Sequence, residues 1–475
     1  MVNRTYLAAF VLYLLIVLAI GAWGYLKTNT KDDFWVYGRN LGKWLATWSL
    51  VANFFSAVAA IGVIGEFSKT GYAIMVGVNF GLALGMSGLY FVSHKIRELN
   101  KVTLSDIVAN VTGRQYARPV TGLLLLSNAW VYLVIQLVGA SVLVTEITGV
   151  PYEYMVWVIG LVFIVYTVLG GLVSVAWTDL LQGTVMVALM TIAVVYLVTD
   201  LGGLTAMNQQ FAAIDPSNVT PLGGGSYTLI TIVSSIVAFF GTIFTGQNVI
   251  IRINATKDIE TTKFHIAAGG VIIAMFLVVT SLLGAATGVA LHNAGITVSN
   301  TDRAFPVLIM RVLPTTLGTI VILGIMSAIL STTDTRLHSI GVTLTRDIYD
   351  YFNPDTSDAH QLKISRAATI GFGLLATAIS ASPPGSIFDL YDFRAVLLTT
   401  GLLVPVYVAL YWRGIDGRVI LSSMVLGAVF GISTKLTGGT LLGVPATILG
   451  VGIAMLVLVA GQVVIGQSSR TTPVN

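Results

Sequence analysis

TTLGTIVILGIMSAILSTTDTRLHSIGVTL, residues 315–344, contains no proline, and its charged positions are Asp334 and Arg336 alone. At 1.5 Å per residue, a helix of this length covers the roughly 30 Å of hydrocarbon in a bilayer. Within it Ala328, Ser331, Thr332 and Thr335 fall at i, i+3, i+4 and i+7, so they share one stripe of the helix. Hydroxyls in an apolar span are costly unless they meet polar partners, water or an ion. Neutral oxygens on such a stripe suit a hard monovalent cation when unwound backbone carbonyls face them.

Runs of the same kind recur along all 475 residues, at about 5–26, 44–66, 71–93, 118–146, 153–171, 173–199, 228–251, 265–291, 315–344, 364–383, 385–412, 417–437 and 440–466. The chain is 55% hydrophobic and 10% charged, with a mean hydropathy of +0.87. A soluble domain carries about 25% charged residues, so this chain uses lipid as part of its solvent. Spans in lipid must satisfy their backbone internally, which makes them helices. The sequence therefore predicts an all-α polytopic membrane protein of about 13 transmembrane helices. The first run is retained rather than cleaved, since only Arg4 precedes it and no small-residue cleavage site closes it. The chain has no cysteine, which excludes disulfides, thiolate metal sites and cysteine nucleophiles.

The basic residues set an orientation. One face receives Lys27, Lys31, Arg39, Lys43, Lys95, Arg97, Lys101, Arg114 and Arg118, then Arg252, Lys257, Lys263, Arg346, Lys363, Arg366, Arg413, Arg418 and Arg470. The other keeps Arg4, Lys69, Arg303, Arg311 and Lys435. This asymmetry places the amino terminus outside and the carboxyl terminus in the cytoplasm of a cell (inner) membrane. Arg336 and Arg394 fall inside spans and read as side chains that snorkel or pair, with a substrate-carboxylate role for Arg394 as the lesser alternative. The net charge of +4 is uninformative about nucleic acid, because what matters is where the basic residues sit relative to the spans, and no nucleic-acid partner is expected. No nucleophile, base and oxyanion set is visible, so the chain does not read as an enzyme. Residues 103–113 read either as an amphipathic helix on the inner surface or as a plain connector, and 200–227 as a lid-like outer loop. In the second run, Ser49-Leu-Val-Ala52-Asn53-Phe-Phe55-Ser56 puts polar groups in mid-membrane, where the helix is expected to unwind.

Three motifs carry a family resemblance. Tyr166-Thr-Val-Leu-Gly170-Gly171-Leu-Val-Ser-Val-Ala-Trp177-Thr178-Asp179-Leu-Leu-Gln182 resembles the signature joining two helices in the sodium:solute symporter family. Ile329-Leu330-Ser331-Thr332-Thr333-Asp334-Thr335-Arg336-Leu337, through Arg346-Asp347-Ile348-Tyr349, resembles its second diagnostic stretch, and Gly246-Gln247 before Arg252 a third. The resemblance implies a leucine-transporter-like core of two inverted five-helix repeats, at 44–199 and 228–412. Ahead of them lie a first helix and inner loop (1–43), between them the extracellular loop 200–227, and after them two peripheral helices and a cytoplasmic tail (413–475). Broken helices are expected near Ala52–Ser56 and Gly241–Gln247. The family's common sodium site maps onto the carbonyls of Ala52, Phe55 and Ala328 and the hydroxyls of Ser331 and Thr332. Asp179, with Asp334 and Thr335 nearby, stands where some relatives have a second ion site or exit path.

The resemblance is strongest to the proline and pantothenate branch, where Tyr132 matches a substrate-contacting tyrosine. It implies a small carboxylate or amino-acid-like solute among Ser56, Tyr132, Gln136, Phe240, Phe244 and Gln247. Phe240 and Phe244 stand where proline carriers have a tryptophan and a tyrosine, and Phe54 where they have an aspartate. Losing those hydrogen-bonding groups argues against proline itself. The implied function is sodium-coupled uptake by alternating access, with sodium as the co-transported ion. A proton-coupled carrier using Asp179 or Asp334, and a transporter-like solute sensor, are the alternatives.

Overall fold

The computed structural model describes residues 4–27, 35–412 and 414–469; Lys31, Arg413 and Arg470 of the basic face lie outside them. The apolar runs become helices whose free backbone ends are capped locally. Thr103, Thr228 and Asp258 each accept a backbone N–H in the first turn of the helix that follows. Ser386 and Asp389 form a reciprocal capping box.

In chain order the helices are α1 (Arg4–Lys27), α2 (Lys43–Phe54), α3 (Val58–Thr70, opening on a π-helical turn), α4 (Ala73–Glu98), α5 (Leu104–Thr112), α6 (Ala117–Thr148) and α7 (Tyr152–Asp200). There follow α8 (Leu204–Ile214), α9 (Leu229–Phe244), α10 (Gln247–Ala255), α11 (Ile259–Asn293) and α12 (Ala304–Arg311). The last are α13 (Thr315–Phe352), α14 (Asp358–Ser380), α15 (Ile387–Tyr411), α16 (Gly417–Leu436) and α17 (Ala446–Ser469). Among the described residues ten helices are long and apolar enough to cross a membrane, and the α2–α3 pair, bent by 53°, makes an eleventh. Shorter apolar stretches at Val11–Ile20 and Tyr152–Val165 lie where the sequence places its first and fifth spans.

Residues Tyr152–Asp200 are helical throughout where two spans were expected, at 153–171 and 173–199, but they do not follow one straight axis. The contacts of α7 run in opposite directions along its neighbours. In the first half the Tyr152 hydroxyl donates to Ser380 O, and Gly160 and Ile164 pack on Thr377 and Gly373 of α14. Thr167 then reaches Asp334 of α13. In the second half Asp179 lies beside Thr335, whereas Leu189 and Met190 lie against Gly324. The chain therefore reverses between Thr167 and Asp179.

Two peripheral segments differ from expectation in instructive ways. Helix α5 forms where an amphipathic surface helix was read, yet most of it is buried. Its polar side is consumed by protein partners: Asp106 pairs with Arg118 and Arg346, and Thr103 donates to Asp347 at 2.7 Å. The 200–227 loop carries α8, which packs Phe211 against Tyr72 at 5.8 Å between ring centroids. Gly71, at φ 71°, lets Asn218 come close enough for its carbonyl to accept from Tyr72 N at 2.8 Å.

The turn at Thr301–Arg303 presses on α3 and on the start of α15. Gly65 has no side chain where Thr301 O approaches, and Asp302 accepts from Ile387 N at 3.0 Å. Burial pushes the Asp302 carboxyl up to about 6, opposed by the Ile387 N–H and reinforced by the nearby Asp389 and Glu66. A carboxyl raised in the folded state binds more protons there than in the unfolded chain. Its contribution to stability is therefore fullest below the unfolded value near 4 and is lost as pH rises through about 6. Asp302→Asn is expected to flatten the melting temperature between about pH 4 and 6, relative to a wild type that softens over that interval. Parallel melting curves for the two proteins would contradict this.

Candidate functional site

Helix α2 stops because Phe55 is extended (φ −94°, ψ 134°), which leaves carbonyls of its last turn without intrahelical donors. The stripe on α13 lies against them. Ser331 Oγ donates to Ala52 O at 3.0 Å and stands 3.1 Å from Ala328 O, while Thr332 Oγ1 donates to Phe55 O at 2.9 Å. All five residues are fully buried. The five oxygens are neutral and carried by two helices, and each hydroxyl keeps lone pairs that can turn toward a cation. That is the donor set expected of a sodium site built on an unwound helix.

Beside this break a second polar cluster forms. Ser56 Oγ and Tyr132 Oη are 2.9 Å apart, and Ala57 N donates to Gln136 Oε1 at 2.9 Å. Gly139 lets α6 approach Ala57 closely enough for these bonds. Ser56, Tyr132 and Gln136 therefore gather as the sequence places them. Phe240, Phe244 and Gln247 do not join them. Phe240 and Phe244 stack on each other at 4.5 Å and face Tyr407. Phe239, one position earlier, stacks on Tyr391 at 5.1 Å, and Tyr391 in turn lies 6.0 Å from Tyr132. Gln247 follows the second break, at Thr245–Gly246, and its Oε1 accepts from Leu104 N of α5 at 2.9 Å. The cavity among Phe54, Phe55, Tyr132, Thr280 and Tyr391 measures about 20 Å³, room for about one water. A solute enters only if the surrounding helices part.

Asp179 is held by a residue that the sequence assigned to a basic-face loop. Arg252 is 1% exposed within α10, and its Nη2 lies 2.8 Å from Asp179 Oδ2 and 2.9 Å from Thr335 Oγ1. Ser49 Oγ donates to the same carboxylate at 2.6 Å, and Arg252 Nε donates to Ser49 Oγ at 2.8 Å. The pair thus ties α2, α7, α10 and α13 together. Asp179 and Thr335 meet through Arg252. Asp334 instead receives the Thr167 hydroxyl at 3.4 Å.

Arg336 and Arg394 do not snorkel. They are 3% and 4% exposed, and no ion pair among the described residues includes either one. Arg336 Nη1 donates to Asn248 Oδ1 at 2.8 Å, and Asn248 Nδ2 donates to Asn53 Oδ1, so the two helix breaks are joined to α13. The signal for these arginines was present in their mid-span positions, since a long basic side chain that far from both interfaces has little water to reach.

A sequence model described as the sodium:solute symporter family matches residues 34–427. The sodium/pantothenate symporter of Haemophilus influenzae is 27% identical over 433 residues, covering 88% of this chain and 87% of that protein. An osmoregulated proline transporter of Bacillus subtilis is 24% identical, covering 88% and 86%. Among solved structures, a sodium-coupled sialic acid symporter in a substrate-bound outward-open state superposes with a TM-score of 0.83 at 16% identity, over 97% of both chains. The fold is thus the leucine-transporter-like one expected, in a multi-pass membrane transporter.

Proposed function

The chain belongs to the sodium:solute symporter family, and from that premise we propose that it couples sodium entry to uptake of a small carboxylate or amino-acid-like solute by alternating access. The observation that carries this reading is the convergence of Ala52 O, Phe55 O, Ala328 O, Ser331 Oγ and Thr332 Oγ1 at the α2 break. We assign sodium to these oxygens and the solute to the neighbouring Ser56, Tyr132 and Gln136. The repeats are taken as 44–199 and 228–412, with the amino terminus outside and the basic loops in the cytoplasm.

Coupling follows from adjacency. Sodium bridging Phe55 O and Thr332 Oγ1 fixes the break against α13, and Ser56, the next residue, is fixed with it. A solute that contacts Ser56 and Tyr132 then binds a site already ordered. By linkage, sodium raises solute affinity by the same factor as solute raises sodium affinity. The engagement of Asp179 by Arg252 and Ser49 disfavours a freely titrating proton site at that carboxylate.

In proteoliposomes, uptake is expected to follow an imposed sodium gradient at equal pH and to stay near background under a pH gradient alone. Uptake driven by protons without sodium would replace this reading with the proton-coupled one.

A further inference from the structure

Resting on the sodium-symport reading, we propose that the solute is a net-anionic organic acid whose carboxylate is bound by Arg394 and Arg336 beside Tyr132 and Tyr391. The guanidinium carbons of Arg336 and Arg394 lie 4.2 and 4.3 Å from the centroid of the Tyr132 ring, and that of Arg394 lies 5.1 Å from Tyr391. Ring faces attract a cation, but they leave its N–H groups unbonded. Arg394 Nε and Nη1 and Arg336 Nε are buried without a hydrogen-bond partner. Two guanidiniums in mid-membrane with open donors, and with no ion pair among the described residues, call for an anion. Arginine does not shed its proton at cellular pH, so neutralisation offers no way out.

The ring that holds both guanidiniums also belongs to the candidate solute site. Tyr132 bonds Ser56, and Tyr132 and Tyr391 line the small cavity next to Phe55. Arg336 and Arg394 border that cavity through the Tyr132 ring, and Ser56, which Tyr132 bonds, directly follows Phe55, whose carbonyl is proposed to hold sodium. Cation and anion then cross together, each lowering the cost of the other in low dielectric. The rest of that cavity is lined by Phe54, Val58, Val78, Leu82 and Leu277, with Asn79 and Thr280 as its polar groups. An amino acid would bring an ammonium group beside two guanidiniums, and the described lining of the cavity offers no carboxylate to receive it. The site therefore selects a simple acid over a zwitterion.

The test uses the purified full-length chain in detergent, with melting temperature and calorimetric affinity measured in sodium and in choline buffers. Probes are a set of acids from acetate to citrate, including propionate, together with propionamide as its uncharged isostere, L-proline, and chloride. At least one acid is expected to raise the melting temperature in sodium, with propionamide and L-proline inert. Arg394→Gln is expected to weaken the acid at least about tenfold, as loss of a charge-assisted bond does, while stabilisation by sodium alone persists. Arg394→Lys restores part of the affinity. Equal binding of acid and amide, preference for L-proline, an unchanged acid affinity in Arg394→Gln, or stabilisation by chloride with no acid binding each overturns the proposal. Sodium stabilisation with no acid binding overturns it and leaves symport standing, whereas absence of any sodium effect removes the symport premise itself. Should Arg394→Gln fail to fold, the acid-against-amide comparison on the wild type decides.

Discussion

Replacing Ser331 and Thr332 together by alanine is expected to raise the sodium concentration for half-maximal uptake by about a hundredfold, with a much smaller loss of folded protein. A hydrogen-bonding or coordinating oxygen facing a charge contributes about 1.5–3 kcal/mol, and two such oxygens leave the site together. At 1.4 kcal/mol per factor of ten, the loss reaches about two decades even at the lower figure. The folded state loses less. The hydroxyls bond the carbonyls of Ala52 and Phe55, and an ordinary neutral bond contributes about 1 kcal/mol net. Sodium titration of uptake, beside a melting curve of the same preparation, separates the two effects. A double variant with wild-type sodium dependence would remove these five oxygens from the mechanism.

The legibility of this site in the sequence follows from helix geometry. Ala328, Ser331 and Thr332 could be placed on one face because α13 is regular through them, and a regular helix fixes side-chain direction by spacing. The same rule explains why Phe240 and Phe244 stand apart from Tyr132. One residue of register turns a helix by about 100°, and it is Phe239 that α9 presents to Tyr391. Past the second break no spacing rule applies, so Gln247 could not be oriented from α9. Arg252 was misread because it sits near the end of an apolar run, where a basic residue normally marks a loop. Its carboxylate partner is 73 positions away in sequence. Such a pairing depends on tertiary packing that periodicity does not carry, and the depth of Arg394 within the bundle has the same origin. The α7 reversal is the opposite case. Charge asymmetry between loops demanded two spans, and the two halves of α7 do make opposed contacts, although residues 152–200 are helical throughout.

The Asp179–Arg252 pair is where stability is expected to respond most. Both side chains are at 1% exposure or less, so truncating one leaves the other charged and buried. Breaking such a pair costs about 3–5 kcal/mol, a large part of the stability of most folded chains. Asp179→Ala is therefore expected to lower the melting temperature and folded yield sharply. Asp179→Asn retains an oxygen for Ser49 and Arg252 while leaving the guanidinium uncompensated, so it falls between alanine and wild type. The paired variant Asp179→Asn with Arg252→Gln removes both charges and is expected to recover most of the stability lost by the single changes, because the uncompensated charge rather than the absent attraction is what costs. An ion-route carboxylate behaves differently: Asp179→Asn would melt normally, bind solute normally and turn over slowly. Melting temperature, solute affinity and uptake rate, measured together on the three variants, separate a structural tie across α2, α7, α10 and α13 from a step on the path of the ion. Recovery of stability in the paired variant with wild-type uptake would exclude the ion-route role for Asp179, and a normal melting curve in Asp179→Asn would exclude the structural one.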